Sequence, residues 1–435
     1  MGSTNFYLEP GSTCSGTVEV SGDKSISHRA IMFASIAEGV SEVKGFLSST
    51  DCEATLTAFQ NMGVQIERAS DTHLRIQGVG LMGLSASEAF LDMGNSGTAM
   101  RLMAGILSGQ KFISTLVGDH SLSSRPMQRI QIPLEKMGAK IKSNDGNTPP
   151  LEVQPSKELV GIHYKLPVPS AQVKSCVLLA GLYAQGKTCI EEDVATRDHT
   201  ERMLQTFSYP IEKNETSVCI EGHGKLLAGN VEIPGDISSA AFLIVGALIS
   251  ENCTLTIRKV GINPTRDGVI QILRLMGANI KITNQTTMGM EPVADLVVES
   301  SVLNGIDIPS SLIANSIDEF PIIFIAAACA QGKTTLSGAA ELRVKESDRI
   351  ALMSMGLQDL GIAVNEKPDG LDITGGQIQG GEIKSGGDHR IAMAFAMASI
   401  KAASAITVLD TDNVMTSFPN FVATVSALGL KISQR

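Results

Sequence analysis

The chain predicts a mixed α/β fold of two domains, each built from three copies of one module. Three observations carry this: six small-residue apolar runs each led by a polar segment, six later helical stretches that stop at Gly or a substitute, and alternating apolar and polar residues between them. At 435 residues the chain exceeds what one core organises and suggests about two or three domains. Six modules divide into three and three. Their period of roughly 65–85 residues is longer than solenoid repeats, so each module is itself globular.

The apolar runs occupy 31–37, 100–107, 173–184, 240–249, 321–330 and 391–400 and predict inner helices that are buried all round. Their leaders are Gly-Asp-Lys-Ser-Ile-Ser-His-Arg from Gly22, Gly-Asn-Ser-Gly-Thr from Gly94, Pro-Ser-Ala-Gln from Pro169, Gly-Asp-Ile-Ser-Ser from Gly235, Asn-Ser-Ile-Asp-Glu-Phe from Asn315 and Gly-Gly-Asp-His-Arg from Gly386. A second helix is predicted over 53–62, 127–137, 200–207, 267–276, 349–360 and 420–428, closing at Gly63, Gly138, Ser208, Gly277, Gly361 and Gly429. Period-two alternation at 73–77, 254–257 and 371–374 predicts strands with one buried face. Because the leaders share one topological place, the helix starts of a pseudo-symmetric domain converge on one end. Unpaired N–H groups and the positive end of the helix dipole make such an end an anion site.

Composition narrows the function. Aromatics are 4% of the chain and Trp is absent, so the core is expected to be close-packed helices and aliphatic strands. A net charge of -10 argues against nonspecific nucleic-acid or anionic-membrane binding. The seven cysteines are scattered and form no CxxC, which fits neither a disulfide framework nor a zinc site and points to a reducing compartment. The histidines lack ligand spacing, so no metal is expected. Without a basic-then-apolar leader, and with apolar runs near half a membrane span, a cytoplasmic protein is expected.

Chemistry concentrates in a few segments. Ser25 and Arg29 stand four apart at a helix start with Lys24 at its mouth, a phosphate-shaped cluster. Gly94 to Arg101 repeats the logic with glycines that admit a ligand to the backbone. Arg125 precedes Pro126, which favours a helix start. Lys345 and Arg349 are expected on one helix face with Glu346 between them, a carboxyl among cations that could be held for proton transfer. Asp318 is expected to open the fifth apolar helix, and Asp388-His389-Arg390 the sixth. Gly332-Lys333-Thr334-Thr335 imitates the tail of a P-loop, but Ala327 stands where that motif needs its first Gly; it and Gly186-Lys187-Thr188 are expected to be helix ends.

Together, Gly22 to Arg29, Gly94 to Arg101, Arg125-Pro126-Met127, Pro169 to Gln172, Asp318 to Pro321, Lys345 to Arg349 and Asp388 to Met393 resemble, in order and spacing, the 5-enolpyruvylshikimate-3-phosphate synthases, over nearly the whole chain. Arg197-Asp198-His199-Thr200 and Asp318-Glu319-Phe320-Pro321 look most like the bacterial class II branch. The resemblance implies an inside-out α/β barrel-like fold of six βαβαββ repeats, three per domain. One domain would be 22–234; the other, 235–435, would be completed by residues 1–21, with hinges near Ser21 and Pro234. It implies two small-molecule substrates, phosphoenolpyruvate and shikimate 3-phosphate, with no cofactor or metal, no nucleic acid and no membrane, in a monomer.

Carried over by position, Lys24, Ser25, Arg29, Ser170, Ala171 (through its backbone), Gln172, Arg197, Asp318 and Lys345 would hold shikimate 3-phosphate. Lys24, Gly97, Arg125, Gln172, Arg349 and Arg390 would hold phosphoenolpyruvate. Asp318 would take the proton of the attacking 5-hydroxyl. Glu346, shielded at closure and helped by Lys24, would protonate the methylene carbon, and the tetrahedral adduct would then expel phosphate. Two departures qualify the carry-over: Ala171 replaces a Ser of many relatives, and Thr416 stands where many have a Lys that contacts phosphoenolpyruvate. Gly97 leaves room for glyphosate, so sensitivity to that inhibitor is expected. A related UDP-N-acetylglucosamine enolpyruvyl transferase would need a loop Cys, and none lies between Cys52 and Cys176. A silent anion-binding scaffold would not need Asp318 and Glu346 together.

Overall fold

The computed structural model describes residues 4–435. Residues 1–3 of the expected 1–21 segment lie outside the described residues. Each apolar run forms a helix: Lys24–Ile36, Gly97–Ser108, Ala171–Gly181, Ile237–Ile249, Phe320–Ala328 and His389–Ala398. Five start on a side-chain cap. Asp23, Ser96, Ser170, Asp236 and Asp388 each accept from a backbone N–H of the first turn, which satisfies one of the donors that a helix start leaves unpaired. The fifth helix differs, with Glu319 at its cap position, no side-chain cap bond, and Pro321 in the first turn. Every residue of Ile237–Ile249 and of Phe320–Ala328 is buried, as their uninterrupted apolar sequences require.

The second helices are Thr50–Asn61, Gln128–Lys136, His199–Thr206, Gly268–Leu275, Arg349–Asp359 and Phe421–Ala427. All six closing residues have left-handed backbones: Gly63, Gly138, Gly277, Gly361 and Gly429 at φ 81–108°, and Ser208 at φ 59°. The turn geometry is thus repeated even where the glycine is not.

The chain forms two compact units: Gly22–Ile233 with Met288–Glu291, and Met1–Ser21 with Pro234–Thr287 and Pro292–Arg435. Each has its own hydrophobic core. In the 22–233 unit one sheet plan recurs three times: a short edge strand runs parallel to a second strand, which pairs antiparallel with a third, itself antiparallel to a fourth. The plan is Val231–Glu232, Glu38–Lys44, His73–Val79, Gln65–Ser70; then Leu91–Asp92, Ser114–Val117, Thr148–Gln154, Lys140–Asn144; then His163–Lys165, Lys187–Glu191, Ser217–Glu221, Glu212–Lys213.

In the other unit the N-terminal segment supplies two strands of the same plan. Phe6–Leu8 lies between Ile406–Leu409 and Ile432–Gln434, antiparallel to both, while Gly16–Glu19 runs parallel to Thr254–Gly261. Phe6 and Leu8 are buried there, and the Phe6 ring stacks on Phe421 at 5.9 Å.

Four local expectations are corrected. Asp318 lies two residues ahead of the fifth inner helix, whose cap position is Glu319. Lys345 and Glu346 are not on a helix with Arg349: they form the turn between the 3-10 segment Ala340–Val344 and a helix that Asp348 caps at Ala351. Gly186 and Gly332 are left-handed turn residues that open the strands Lys187–Glu191 and Lys333–Thr335, beyond their helix ends. Cys189 and Cys219 form a disulfide across neighbouring antiparallel strands. An odd cysteine count and a separation of 30 residues hid this pairing, and register alone brings the two side chains together.

Candidate active site

In the 22–233 unit three inner helix starts carry the expected residues. Lys24 opens the first helix, and its Nζ lies 2.5 Å from Oδ2 of the buried Asp51, a partner that no motif announced. Arg29, one turn further on, is buried. Its Nη1 donates to the Ser25 carbonyl at 2.9 Å, its Nε to Thr200 Oγ1 at 2.8 Å and its Nη2 to Ser175 Oγ at 2.7 Å. Arg29 therefore also braces three elements of the unit. His28, beside it, contacts Thr55 Oγ1 at 2.8 Å and Ser96 Oγ at 3.3 Å and so links the first helix to the cap of the second.

At the second start, Gly97 packs under two guanidinium groups. A Cβ there would lie 2.8 Å from Nη1 of Arg101 and 3.3 Å from Nη1 of Arg125. The buried Arg125 donates to the Asn95 carbonyl at 3.2 Å, to Asn95 Oδ1 at 2.8 Å and to Ser121 Oγ at 3.0 Å. Gln172, in the first turn of the third helix, accepts from Arg101 at 2.7 Å and donates to Thr98 Oγ1 at 2.9 Å. Gly97, Arg125 and Gln172 are thereby gathered round Arg101, which the sequence motif contained without a role. Ser170 caps the third helix, Ala171 is its first residue, and Arg197 is half-buried in the turn before His199–Thr206.

In the other unit the charged residues form one network. Arg349 is fully buried. Its Nε donates to Asp388 Oδ2 at 2.8 Å, its Nη2 donates to Glu346 Oε2, and its Nη1 lies 3.6 Å from Asp318 Oδ1. Lys345 Nζ stands 3.6 Å from the same Asp318 oxygen, and Arg390 Nη1 donates to the Asp318 carbonyl at 2.9 Å. Asp318, Lys345, Glu346, Arg349 and Arg390 are thus brought together. Asp388, which the sequence offered only as a helix opener, holds the centre. Among the described residues, Nη1 of Arg349 and Nε of Arg125 are buried donors without a hydrogen-bond partner, an arrangement that an anionic acceptor would relieve. Thr416 is buried and its hydroxyl turns back onto the Asn413 carbonyl at 2.6 Å.

Among the described residues no cluster of three or more His, Cys, Asp or Glu has the arrangement of a metal site, and no helix is long and apolar enough to cross a membrane.

A family model described as EPSP synthase (3-phosphoshikimate 1-carboxyvinyltransferase) matches residues 8–425. A 3-phosphoshikimate 1-carboxyvinyltransferase of Methylococcus capsulatus is 55% identical over 427 residues, 98% of each chain. One of Legionella pneumophila is 54% identical over 430 residues, 99% of each chain. A solved EPSP synthase structure from Acinetobacter baumannii superposes with a TM-score of 0.89 at 49% identity, covering 99% of this chain and 100% of that one.

Proposed function

The chain belongs to the EPSP synthase family and has its two-domain enolpyruvyl transferase fold, and from that premise we propose how its own residues carry the reaction. The reaction transfers the enolpyruvyl group of phosphoenolpyruvate to the 5-hydroxyl of shikimate 3-phosphate and releases phosphate, a step of the shikimate pathway. Both substrates are multiply charged anions. Their mutual repulsion must be offset by fixed cations and helix ends. Lys24, Ser25, Arg29, Ser170, the Ala171 backbone, Gln172, Arg197, Asp318 and Lys345 serve shikimate 3-phosphate; Lys24, Gly97, Arg125, Gln172, Arg349 and Arg390 serve phosphoenolpyruvate.

The observation that carries this reading is Asp318 Oδ1 placed 3.6 Å from both Lys345 Nζ and Arg349 Nη1, with Glu346 on the same guanidinium. Asp318 accepts the 5-hydroxyl proton as oxygen attacks C2 of phosphoenolpyruvate, while Glu346, with Lys24, delivers a proton to the methylene carbon. The tetrahedral adduct then returns a proton from that methyl carbon to the Glu346 carboxylate as its C–O bond to phosphate breaks, restoring the double bond and releasing phosphate. Glu346 Oε2 accepts from Arg349 in this structure, so the proton to be delivered would sit on Oε1. Asp318→Asn should lower kcat by about 10²–10⁴-fold while shikimate 3-phosphate still binds. A pH–rate profile identical in Glu346→Gln and the parent would remove Glu346 from the mechanism.

The reading extends to a cytoplasmic monomer without metal or cofactor. Acid–base addition and elimination moves no electrons between oxidation states, so it calls for no redox cofactor. Cytoplasmic placement rests on the family's biosynthetic chemistry, since the Cys189–Cys219 pairing withdraws the cysteine argument.

A further inference from the structure

Lys174 is an apolar-helix residue with no apolar role. It sits one turn into Ala171–Gly181, with 1% of its side chain exposed, and its ammonium meets three acceptors: Glu192 Oε1 at 2.9 Å, Glu201 Oε1 at 2.8 Å and the Thr196 carbonyl at 3.2 Å. Glu192 folds back on the same loop, accepting from Thr196 N at 3.2 Å and from Thr196 Oγ1 at 2.7 Å. The inner helix is therefore tied to the loop at Glu192 and Thr196 and to the first turn of the helix His199–Thr206 at Glu201. Arg197 is the residue that follows Thr196. The neighbouring Ser175 Oγ accepts from Thr200 Oγ1 at 2.7 Å, which adds a second tie just beyond Arg197.

Burial alone would push the Lys174 ammonium toward its neutral form, but Glu201 and Glu192 outweigh burial and hold it above the ordinary lysine value. A permanent charge inside a helix needs such partners. An apolar residue of similar volume would do as well or better for stability alone. The group is expensive to bury and is built across the loop that carries Arg197, while its own helix starts with Ser170 at the cap and Ala171 and Gln172 in the first turn.

We propose that Lys174 is a positioning residue for shikimate 3-phosphate, fixing the loop of Glu192 and Thr196 and, through Glu201, the start of the helix that follows it, so that Arg197 is held in register with Ser170 to Gln172. The proposal rests on the assignment of Arg197 and Ser170 to that substrate. It predicts a ground-state effect on one substrate: the clamp touches no reacting atom, so it governs KM for shikimate 3-phosphate and leaves kcat and KM for phosphoenolpyruvate alone.

The test compares Lys174→Arg, Arg197→Ala, the neutral triple variant Lys174→Met/Glu192→Gln/Glu201→Gln, and the triple variant combined with Arg197→Ala. The triple variant removes all three charges together and so leaves none buried alone. It is expected to fold, with KM for shikimate 3-phosphate raised about tenfold and kcat and KM for phosphoenolpyruvate within about twofold. Lys174→Arg should stay near the parent, and the triple change should add nothing once Arg197 is Ala. If Arg197→Ala raises KM for shikimate 3-phosphate but the folded triple variant does not, or if the triple penalty persists in full without Arg197, the positioning role is overturned while the site assignment stands. If Arg197→Ala itself leaves that KM unchanged, the assignment of Arg197 fails and takes the proposal with it. Should the triple variant not fold, Lys174→Arg and single Glu192→Gln decide the matter: a shift in KM for shikimate 3-phosphate in Glu192→Gln that vanishes with Arg197→Ala supports the role, and its absence overturns it.

Discussion

Arg349 Nε donates to Asp388 Oδ2 at 2.8 Å, and neither side chain has any solvent exposure. Burial by itself would raise the Asp388 carboxyl, but the Arg349 guanidinium beside it outweighs burial and holds it below the ordinary carboxylate value. Arg349 in turn is held above the ordinary arginine value by Asp388, Glu346 and Asp318, against the effect of burial. The same Asp388 side chain caps the sixth inner helix through Arg390 N at 2.9 Å, so one carboxylate orients two of the cations assigned to phosphoenolpyruvate.

Asp388→Asn should lower stability by about 1.5–3 kcal/mol near neutral pH, because it removes the charge-assisted bond to Arg349 Nε and leaves Glu346 and Asp318 as the remaining carboxylates around a buried guanidinium. A depressed carboxylate contributes stability above its unfolded value of about 3.9 and loses it as pH falls through its lower folded value. Urea unfolding should therefore show a gap between parent and variant that is constant down to about pH 4 and closes below it. A gap that stays open in acid would mean that the carboxylate is not ionised by its pairing with Arg349.

Gly97→Ala should raise KM for phosphoenolpyruvate by about tenfold, as expected from disturbing one charge-assisted contact. The added Cβ would stand 2.8 Å from Arg101 Nη1 and 3.3 Å from Arg125 Nη1, and these flexible ends can move aside without unfolding the helix. Inhibition by glyphosate should weaken in the same variant. Steady-state kinetics with each substrate varied in turn would check it, and an unchanged KM would separate Gly97 from the phosphoenolpyruvate contact.

His28 is held well below the ordinary histidine value, first by burial and then by Lys24 and Arg29. The folded protein keeps it neutral while the unfolded chain protonates below about pH 6.5, so its neutral burial costs stability increasingly as pH falls below that value. His28→Gln should flatten the loss of unfolding free energy between about pH 6.5 and 5, where the parent falls by up to about 1.4 kcal/mol per pH unit from this group. Parallel curves for the two proteins would show that His28 is not what makes this limb pH-dependent.

Ser208→Gly should stabilise the 22–233 unit by about 1 kcal/mol. Ser208 holds φ 59° at the helix-closing position where the other five modules place glycine. Differential scanning calorimetry should show a higher midpoint, and a fall would mean that the side chain contributes more than its backbone strain removes.

The helix starts were legible because Asp23, Ser96, Ser170, Asp236 and Asp388 each lie in the polar leader ahead of an apolar run, where a short polar side chain can reach a first-turn N–H. The fifth start was misplaced because Asp318 and Glu319 both precede Phe320, and composition does not say which occupies the cap position. The site was legible as a set of segments but not as a set of contacts. Arg101 and Gln172 are 71 positions apart, and Arg349 and Asp388 are 39 apart, so only module packing pairs them. Lys174 falls inside the run 173–184 that the sequence predicts to be buried all round, and only packing shows that Glu192 and Glu201 close over its charge.

Phosphate release from phosphoenolpyruvate, followed with and without shikimate 3-phosphate and with UDP-N-acetylglucosamine in its place, tests the assignment of the two charged networks most directly. The account predicts release that depends on shikimate 3-phosphate, is absent with the nucleotide sugar, and is lost by at least about 10²-fold in Asp318→Asn. Release that proceeds without shikimate 3-phosphate, or that survives Asp318→Asn undiminished, would contradict it.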